Sequence, residues 1–259
     1  MKAASWNVNS LRVRLPHLLK WLHTAQPDLL GLQETKIVDE QFPAAEIEAA
    51  GYRVIHAGQK TWNGVAILSK MDGTDIVTGL PGLDDPQRRV LGATYGDIRF
   101  LNLYVPNGQQ VGSEKYSYKL DWLEKLLAYI KTQLEQYPRL IVVGDFNIAP
   151  EDRDVHDPAL WEGGILCSDP ERAAFQQLLA SGLADTFRLF DQEEGVFSWW
   201  DYRAAAFRRN IGARIDHILA SPALCEVCSY STVDKDPRSW ERPSDHAPVI
   251  SVFDGIGFA

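Results

Sequence analysis

The chain has 259 residues, of which 35 are acidic and 26 are lysine or arginine, so its formal net charge is -9. This acidic balance argues against general affinity for nucleic acid. With 45% hydrophobic and 24% charged residues, the composition is that of a globular protein, which excludes disordered, collagen-like and coiled-coil classes. No repeat or Gly/Ser linker interrupts the chain, and we therefore predict a single domain over residues 1–259.

The sequence carries no membrane-spanning or targeting signal. No apolar run approaches the roughly 18 residues that would span a bilayer, and the N-terminus lacks the apolar stretch of a signal peptide. We therefore expect a cytoplasmic protein without a membrane partner. Cys167, Cys225 and Cys228 are an odd number in a long chain, which favours a reducing compartment. Cys225 and Cys228 form a lone CxxC, which we interpret as ordinary thiols rather than a zinc or redox site.

Short strand patterns alternate with amphipathic helical patterns along the whole chain. The longest helix is predicted from Ser113 to Gln136, where apolar residues recur at steps of four and three. In chain order we predict a strand at 3–9, a helix at 15–25, a strand at 29–34, a helix at 43–50, strands at 52–57, 64–69, 89–95 and 98–105, the helix at 113–136, a strand at 140–145, a helix at 171–181, and strands at 214–221 and 248–253.

This order of elements favours an α/β fold with more strands than helices. Several strands are joined by hairpin-length turns such as Tyr95-Gly96-Asp97, which a parallel doubly wound sheet would not contain. We predict a four-layer α/β sandwich, in which two packed mixed β-sheets are flanked by helices.

Polar residues stand at the ends of otherwise apolar strands. Glu34 ends the second strand, and Asp145 ends the apolar run 140–144, with Asn147 two residues later. If the segment stays extended, alternate residues face the same side, so Asp145 and Asn147 would address one site. Asp216 lies within a strand pattern and needs a partner, which His246 could supply as an imidazole oriented by a carboxylate.

These side chains are the oxygen and imidazole donors of a hard divalent cation. Four carboxylates, Glu34, Asp145, Asp216 and Asp245, together with Asn and His, suit Mg²⁺, with Mn²⁺ as a substitute, better than a thiolate zinc site. No GxxxxGK[ST] or GxGxxG motif occurs, which argues against a kinase or NTPase. A hydrolase of phosphate esters follows.

Taken together, the motifs resemble the exonuclease III family of apurinic/apyrimidinic endonucleases, within the endonuclease/exonuclease/phosphatase superfamily and its deoxyribonuclease I-like fold. The resemblance covers nearly the whole chain. It rests on seven motifs in family order: Trp6-Asn7-Val8-Asn9-Ser10, Leu32-Gln33-Glu34-Thr35-Lys36, Trp62-Asn63-Gly64-Val65-Ala66-Ile67, Leu103-Tyr104-Val105-Pro106-Asn107-Gly108, Gly144-Asp145-Phe146-Asn147-Ile148-Ala149-Pro150, Arg214-Ile215-Asp216-His217-Ile218-Leu219 and Ser244-Asp245-His246-Ala247-Pro248-Val249.

The resemblance implies a role for each matched residue. Tyr104 would contact the scissile phosphate or assist the leaving group, and Asp145 would be the base, with Asn147 orienting the attacking water. His246 paired with Asp216 is a competing base or a cationic phosphate contact, and the sequence leaves both assignments open. The metal residues would be Glu34 as the principal carboxylate, with Asn7, Asp145, Asn147, Asp245 and His246 as ligands or close neighbours of the ion.

An acidic chain that binds DNA needs a local basic surface. Residues 203–214 carry four arginines and no acid, directly after the aromatic run 197–200, and arginines among aromatics suit phosphate contact and stacking. The resemblance implies an abasic-sugar pocket here. Trp199 and Ile215 would be its walls, Arg208 a backbone contact, and Asn107 a nearby substrate contact. Ile211, Ala213 and Trp62 depart from the family pattern and make the substrate preference an open question.

The resulting hypothesis is a Mg²⁺-dependent DNA-repair phosphodiesterase that cuts 5' to abasic sites, with 3'-to-5' exonuclease and 3'-phosphatase activity as further possibilities. Its partner would be double-stranded DNA with abasic sites or blocked or recessed 3' ends, bound by a monomer. Two alternatives stay open at this point: the same fold acting on an inositol phosphate or sphingomyelin headgroup, and a DNA-binding protein with a disabled site.

Overall fold

The structure is a computed structural model that describes residues 1–257. Its first half contains β1 (Lys2–Asn7), α1 (Leu11–Ala25), β2 (Leu29–Gln33), α2 (Ala44–Ala49), β3 (Arg53–Ala57), β4 (Val65–Ser69), β5 (Thr74–Thr78), β6 (Val90–Tyr95), β7 (Ile98–Tyr104) and α3 (Glu114–Gln136). Its second half contains β8 (Leu140–Asp145), α4 (Pro158–Trp161), α5 (Asp169–Ala180), β9 (Ala184–Asp185), β10 (Trp199–Trp200), β11 (Gly212–Ala213), β12 (Asp216–Ala220), α6 (Pro222–Cys225), β13 (Cys228–Val233) and β14 (Val249–Phe253). Short 3₁₀ turns occupy Asp39–Gln41, Asp152–Asp154, Thr186–Leu189, Arg203–Ala205 and Asp236–Ser239.

Twelve of the strands form two mixed sheets, as the sequence predicted, with six strands in each, and β10 pairs with β11 in a separate two-stranded sheet. The first sheet has the order β13-β14-β1-β2-β4-β3, and the second has the order β5-β6-β7-β8-β12-β9. Only β1 with β2 and β7 with β8 pair in parallel within these sheets, while the other neighbours are antiparallel. The α/β sandwich is therefore confirmed.

Alternation along the strands builds three apolar layers. Ala3 and Leu29 from the first sheet join Ile141 and Val143 from the second in the core between the sheets. The next residues in register point the other way, so that Ala4 and Leu30 pack under α1 and α2, while Val142 packs under α3 and α5. The layer order is therefore helices, sheet, sheet, helices.

Several predicted boundaries differ from the observed ones. The strand predicted at 214–221 begins only at Asp216, and the sequence analysis missed β5, β13 and the two-residue strands β9, β10 and β11. β5 and β13 are edge strands with exposed residues, so they lack the apolar run that identifies a buried strand. The helix predicted at 113–136 is observed at Glu114–Gln136, where the Ser113 hydroxyl caps the Tyr116 N–H.

Two further predictions concern membrane-spanning segments and the cysteines. No helix among residues 1–257 is long and apolar enough to cross a membrane. The three cysteines are free thiols, with Cys167 buried and Cys225 and Cys228 half-buried, and burial raises the pKa of both Cys225 and Cys228. A raised pKa disfavours the reactive thiolate.

Candidate active site

Three predicted site residues lie side by side at one end of the second sheet. The strand register pairs Tyr104 on β7 with Asp145 on β8, and Asp145 with Asp216 on β12. Gly144 precedes Asp145 with a φ of +157°, and a Cβ there would lie 2.1 Å from the Leu103 carbonyl oxygen. Only glycine therefore allows β7 and β8 to approach closely enough for this row to form.

The first sheet contributes Asn7 and Glu34 to the same place. Asn7 ends β1 opposite Gln33, the last residue of β2, and Glu34 follows directly. The Asn7 amide donates to Glu34 Oε1 and to Asp145 Oδ2, both at 2.9 Å. The Asn7 oxygen accepts the Asn9 N–H at 3.0 Å. Asn7 therefore joins the carboxylates of the two sheets through its amide nitrogen.

His246 and Asp216 are in contact, as the sequence suggested. The imidazole Nδ1 lies 2.8 Å from Asp216 Oδ2, which also accepts a hydrogen bond of 2.6 Å from the Ser198 hydroxyl. The other ring nitrogen, Nε2, lies 3.7 Å from Asp145 Oδ2. Because Asp216 fixes the ring on one side, the second nitrogen is directed at the carboxylate row.

Burial and crowding of carboxylates shift the acid–base properties of this cluster. Burial, together with Asp216 and Glu34, raises the pKa of Asp145 to about 7 against the opposing effects of His246 and Asn7. Burial alone would lower the pKa of His246, but Asp216 and Asp145 outweigh it and raise that pKa to about 10. Burial and the neighbouring carboxylates thus disfavour the ionised form of Asp145, which a bound cation would favour.

A divalent cation fits this charge imbalance. Glu34, Asp145 and His246 each offer one ligand atom, and these atoms lie within 4.8 Å of one another. Asp245 stands apart from this set, since its two oxygens accept hydrogen bonds from Asn9 at 2.8 Å and Trp199 at 3.0 Å. Burial opposes ionisation of Asp245, yet His246 and these two donors hold its pKa below the usual range.

Asn147 reaches the site by a route other than the predicted one. Its φ is +50°, so the segment is not extended, and alternation along a strand does not orient its side chain. Instead the Asp145 carboxylate accepts the Asn147 N–H at 2.9 Å, which turns the chain sharply. The side-chain amide donates to the Val105 carbonyl at 3.0 Å and accepts from Asn107 at 2.8 Å.

Left-handed backbone conformations concentrate at the same rim. Asn9 has a φ of 42°, Glu34 of 50° and Lys36 of 54°. Such conformations are uncommon for residues other than glycine and cluster at functional sites. They turn the chain at the ends of β1 and β2, where the Lys36 ammonium lies 2.6 Å from Glu34 Oε2 and 2.6 Å from Asn9 Oδ1.

An open pocket of about 530 Å³ adjoins Tyr104 and Asn107. Burial, together with Glu34, raises the pKa of Tyr104 well above its ordinary value, so the phenol keeps its proton. Trp62, 67% exposed, lines the pocket with Arg89 and Lys115. An exposed tryptophan in a pocket that also contains two cations is typical of a nucleic-acid surface, and the sequence analysis singled out Trp62 only as a departure from the family pattern.

The structure corrects the account of the arginine-rich segment. Arg208 is exposed as expected, whereas Arg214 is 1% exposed and bound to two buried carboxylates, Asp154 and Asp185, both at 2.7 Å. Arg214 therefore cannot contact a phosphate.

The two predicted pocket walls lie in different surroundings. Ile215 is 2% exposed and packs with Ala149 and Leu166, so its side chain is not presented to a DNA strand. Trp199 is half-buried beside Trp161, at 6.5 Å between ring centroids, and its N–H is engaged by Asp245. The structure thus brings Trp199 next to the acidic rim and leaves Ile215 inside an apolar cluster.

The sequence analysis missed three polar side chains that hold the rim in place. Ser198 binds Asp216, Asn9 binds Asp245, and Lys36 binds Glu34. Asn9 and Lys36 lie within the quoted motifs, two residues from Asn7 and Glu34, and that proximity was the available signal. Ser198 had none beyond its place in the aromatic run.

Comparison with known proteins gives consistent matches over nearly the whole chain. The model of the "Endonuclease/Exonuclease/phosphatase family" matches residues 4–246. Exodeoxyribonuclease III of Haemophilus influenzae is 38% identical, with 98% of this chain and 100% of that protein covered. A 3' phosphatase from Neisseria, solved with a product DNA hairpin, is 46% identical with a TM-score of 0.96, covering 98% of this chain and 99% of the other. An AP endonuclease from Archaeoglobus fulgidus is 38% identical with a TM-score of 0.94, at the same coverage of 98% and 99%.

Proposed function

Because this chain belongs to the endonuclease/exonuclease/phosphatase family and is a nuclease of DNA repair, we propose that it is a divalent-metal-dependent phosphodiesterase of damaged DNA. It cuts the backbone 5' to abasic sites, and it removes nucleotides and phosphate from 3' ends. The observation that carries this proposal is the convergence of Glu34, Asp145 and His246 at the meeting point of the two sheets. It acts as a single-domain monomer on double-stranded DNA.

The carboxylates of Glu34 and Asp145 would hold the ion. Oxygen donors of this kind favour Mg²⁺, or Mn²⁺ in its place, over a thiolate-binding metal. When bound, such a cation polarises a phosphate oxygen and neutralises charge that develops in the transition state. Asn7 keeps the two carboxylates together through its paired hydrogen bonds of 2.9 Å.

The water nucleophile is assigned to the Asp145 and Asn147 side of the site. One N–H of the Asn147 amide donates to Val105, and the second has no partner among residues 1–257. That free donor can bind the attacking water or a phosphate oxygen. We assign Asp145 as the base, and the Asp216-bound imidazole of His246 as the group that contacts the phosphate. Tyr104, with its proton retained, donates to the phosphate or to the leaving oxygen.

The DNA strand would reach the rim across the pocket beside Tyr104. Trp62 offers a stacking surface there, and Arg89 and Lys115 offer phosphate contacts. The Arg89 guanidinium lies 4.7 Å from the centre of the Tyr104 ring, so the phosphate-binding and catalytic parts are adjacent. Arg208, Trp199 and Asn107 remain proposed DNA contacts, while the burial of Ile215 restricts it to shaping the cluster beneath Trp199.

The experiment is a panel of end-labelled duplexes, abasic, blunt, recessed and 3'-phosphate, incubated with Mg²⁺, with Mn²⁺ or with EDTA. We expect nicking 5' to the abasic site and release of 3' nucleotides or phosphate with either metal. Absence of cleavage in all four duplexes with both metals would refute the proposal.

A matched pair of variants separates catalysis from binding. Asp145→Asn should lower kcat by about 10²- to 10⁴-fold, the contribution typical of a general base, without weakening DNA binding in EDTA. Asp97→Asn removes an exposed carboxylate paired with Arg139 and should leave both quantities unchanged. A wild-type kcat in Asp145→Asn would remove Asp145 as the base. Binding of DNA without cleavage by either protein would indicate a DNA-binding protein with a disabled site.

A further inference from the structure

Lys119 is a fully buried lysine on α3 that no predicted role includes. The side chain is 0% exposed and lies in the row of buried residues that face the second sheet: Tyr116, Lys119, Leu123, Leu126, Ile130 and Gln133. Three leucines of the same helix, Leu120, Leu127 and Leu134, are only half-buried. A lysine at an apolar-row position is costly unless every charge and donor is satisfied.

The ammonium group of Lys119 has one acceptor for each of its three N–H groups. It donates to the Asn147 carbonyl at 2.7 Å, to the Asn107 carbonyl at 3.2 Å and to the Glu171 carboxylate. Two of these acceptors are backbone carbonyls in irregular segments that follow β7 and β8. Lys119 therefore ties together the two loops that carry Asn107 and Asn147.

Glu171 anchors the other side of the ion pair. Its Oε2 accepts the N–H and the hydroxyl of Ser168, at 3.1 Å and 2.6 Å, and its Oε1 accepts the Leu166 N–H at 3.2 Å. Ser168 and Glu171 thereby form the capping box of α5. The Lys119 ammonium is therefore held by the first turn of α5, which carries Glu171, and by α3, which carries Lys119 itself.

Stability alone gives a weak reason for such a pair. Desolvation of two buried charges commonly cancels their attraction, and apolar replacements of similar volume are often neutral or stabilising. A buried ion pair can instead serve an active site by fixing the positions of nearby groups. Catalytic groups must be held within about 0.5 Å of their productive positions. The Asn147 side chain is joined to Asn107 at 2.8 Å, and its N–H is joined to Asp145 at 2.9 Å.

We propose that Lys119 is a positioning residue, which sets the Asn147 amide against Asp145 by holding the carbonyls of Asn107 and Asn147. This inference rests on the proposed nuclease function for its kinetic consequence. Lys119 does not touch the substrate. Its effect on the reaction passes through Asn147.

The test compares Lys119→Met and the double variant Lys119→Met/Glu171→Gln with the wild type. The double variant removes both charges and so avoids leaving a carboxylate buried without its partner. On the abasic duplex with Mg²⁺ we expect kcat to fall about 10- to 100-fold, as for a misplacement of about 1 Å, with KM changed less than about threefold. Arg99→Met is the matched control: Arg99 is 1% exposed and binds Gln133 and Asp75, away from both loops. It should lower the melting temperature without lowering kcat.

Coupling to Asn147 distinguishes positioning from general destabilisation. In an Asn147→Ala background, adding Lys119→Met should cause less than about a twofold further loss of kcat, because the group it positions is gone. If the losses of kcat caused by Asn147→Ala and by Lys119→Met multiply, the inference is overturned. An unchanged kcat in Lys119→Met/Glu171→Gln would also overturn it. In protein labelled with ¹⁵N-asparagine, the side-chain signals of Asn107 and Asn147 should shift in Lys119→Met/Glu171→Gln and not in Arg99→Met. Unshifted signals would overturn the inference even if the wild type cleaved no DNA, whereas inactivity of the wild type alone would refute only the nuclease function.

Discussion

Arg208 and Arg214 lie six residues apart in one basic segment, yet they serve different parts of the molecule. Arg208 is exposed at the surface, while Arg214 is buried between Asp154 and Asp185 and also contacts His217 Nδ1 at 3.0 Å. We call the buried residues Arg214, Asp154, Asp185 and His217, together with the half-buried Arg188, the Arg214 network. A count of arginines therefore overstates the charge available to DNA, because a buried arginine is already neutralised by its carboxylates.

The Arg214 network and the segment at 203–209 also differ in which parts of the chain their side chains connect. The Arg214 network joins the loop after β8 to the start of β12, two residues before Asp216. In the segment at 203–209, Ala206 and Phe207 pack on the core, whereas the arginines are exposed and Arg203 pairs with Asp201 two residues away. Substitutions in the network should change stability, whereas substitutions on the surface should change DNA affinity.

The largest expected effect is on the unfolding free energy, and it distinguishes Arg214 from Arg208. Arg214→Gln leaves Asp185 buried without its arginine and leaves Asp154 with Arg188 alone, and removing one partner of a buried ion pair typically costs about 3 to 5 kcal/mol of unfolding free energy. Arg208→Gln is the control and should change that free energy by less than about 0.5 kcal/mol. Urea denaturation at pH 7.5 measures both. Equal stabilities of the two variants would contradict the assignment of Arg214 to the interior.

The pH dependence of stability probes the same network through His217. Its Nε2 faces the Ile148 carbonyl at 2.9 Å, and its Nδ1 faces the Arg214 guanidinium, so the ring is neutral with the proton on Nε2. Burial and Arg214 lower the pKa of His217 to about 4. Because the unfolded state takes up the proton near pH 6.5 and the folded state only near pH 4, the stabilisation is complete above pH 6.5. It is lost as the pH falls toward 4.

Relative to His217→Asn, the wild type should therefore lose about 2 kcal/mol more unfolding free energy between pH 7.5 and pH 5. The comparison between the two proteins cancels groups that titrate in both. Urea denaturation at the two pH values gives the difference. Parallel losses in the two proteins would mean that His217 takes up its proton in the folded state near its ordinary pKa.

The sequence predicted the apolar strands and their charged ends better than it predicted the buried ion pairs, and the physical reason lies in what each pattern records. The apolar run 140–144 followed by Asp145 specifies a buried strand with a charged end, and register alone then places Tyr104 and Asp216 beside it. Arg214 also precedes a strand, but nothing local indicates that Asp154 and Asp185 reach it from distant segments. Long-range pairing of this kind is set by tertiary packing.

Lys119 and Asn147 show two further limits. An alternation argument placed Asn147 correctly near Asp145 for a wrong reason, because the side chain of Asp145 itself turns the backbone there. Lys119 occupies the position three residues after Tyr116 and four before Leu123, inside the buried row of α3. A charged residue at that spacing was a readable signal for a buried ion pair, although its partner Glu171 could not be found from periodicity.

On the surface, Trp62 should contribute more to affinity than any single exposed arginine. Trp62→Ala should weaken binding of a duplex with a frayed or recessed end by about 1 to 3 kcal/mol, the value of one base stacked on an aromatic ring. Tyr230→Ala is the control, because Tyr230 is 54% exposed on the edge strand β13 and does not line the pocket beside Tyr104. Binding is measured in EDTA to prevent cleavage. Equal affinities of the two variants would remove Trp62 from the DNA surface.

The smallest expected effect is that of Arg208 on DNA binding. It is measured as a change in the salt dependence of the DNA affinity and not as a change in affinity at one ionic strength. A residue that neutralises one phosphate releases about one counterion, so Arg208→Gln should reduce the slope of log K against log salt by about 1. Arg53→Gln serves as the control, since Arg53 is exposed on the edge strand β3 and pairs with Asp72. Its slope should match that of the wild type. If Arg208→Gln keeps the full slope, the segment at 203–209 does not contact the backbone, and the cations beside Trp62 carry the electrostatic part of DNA binding despite the net charge of -9.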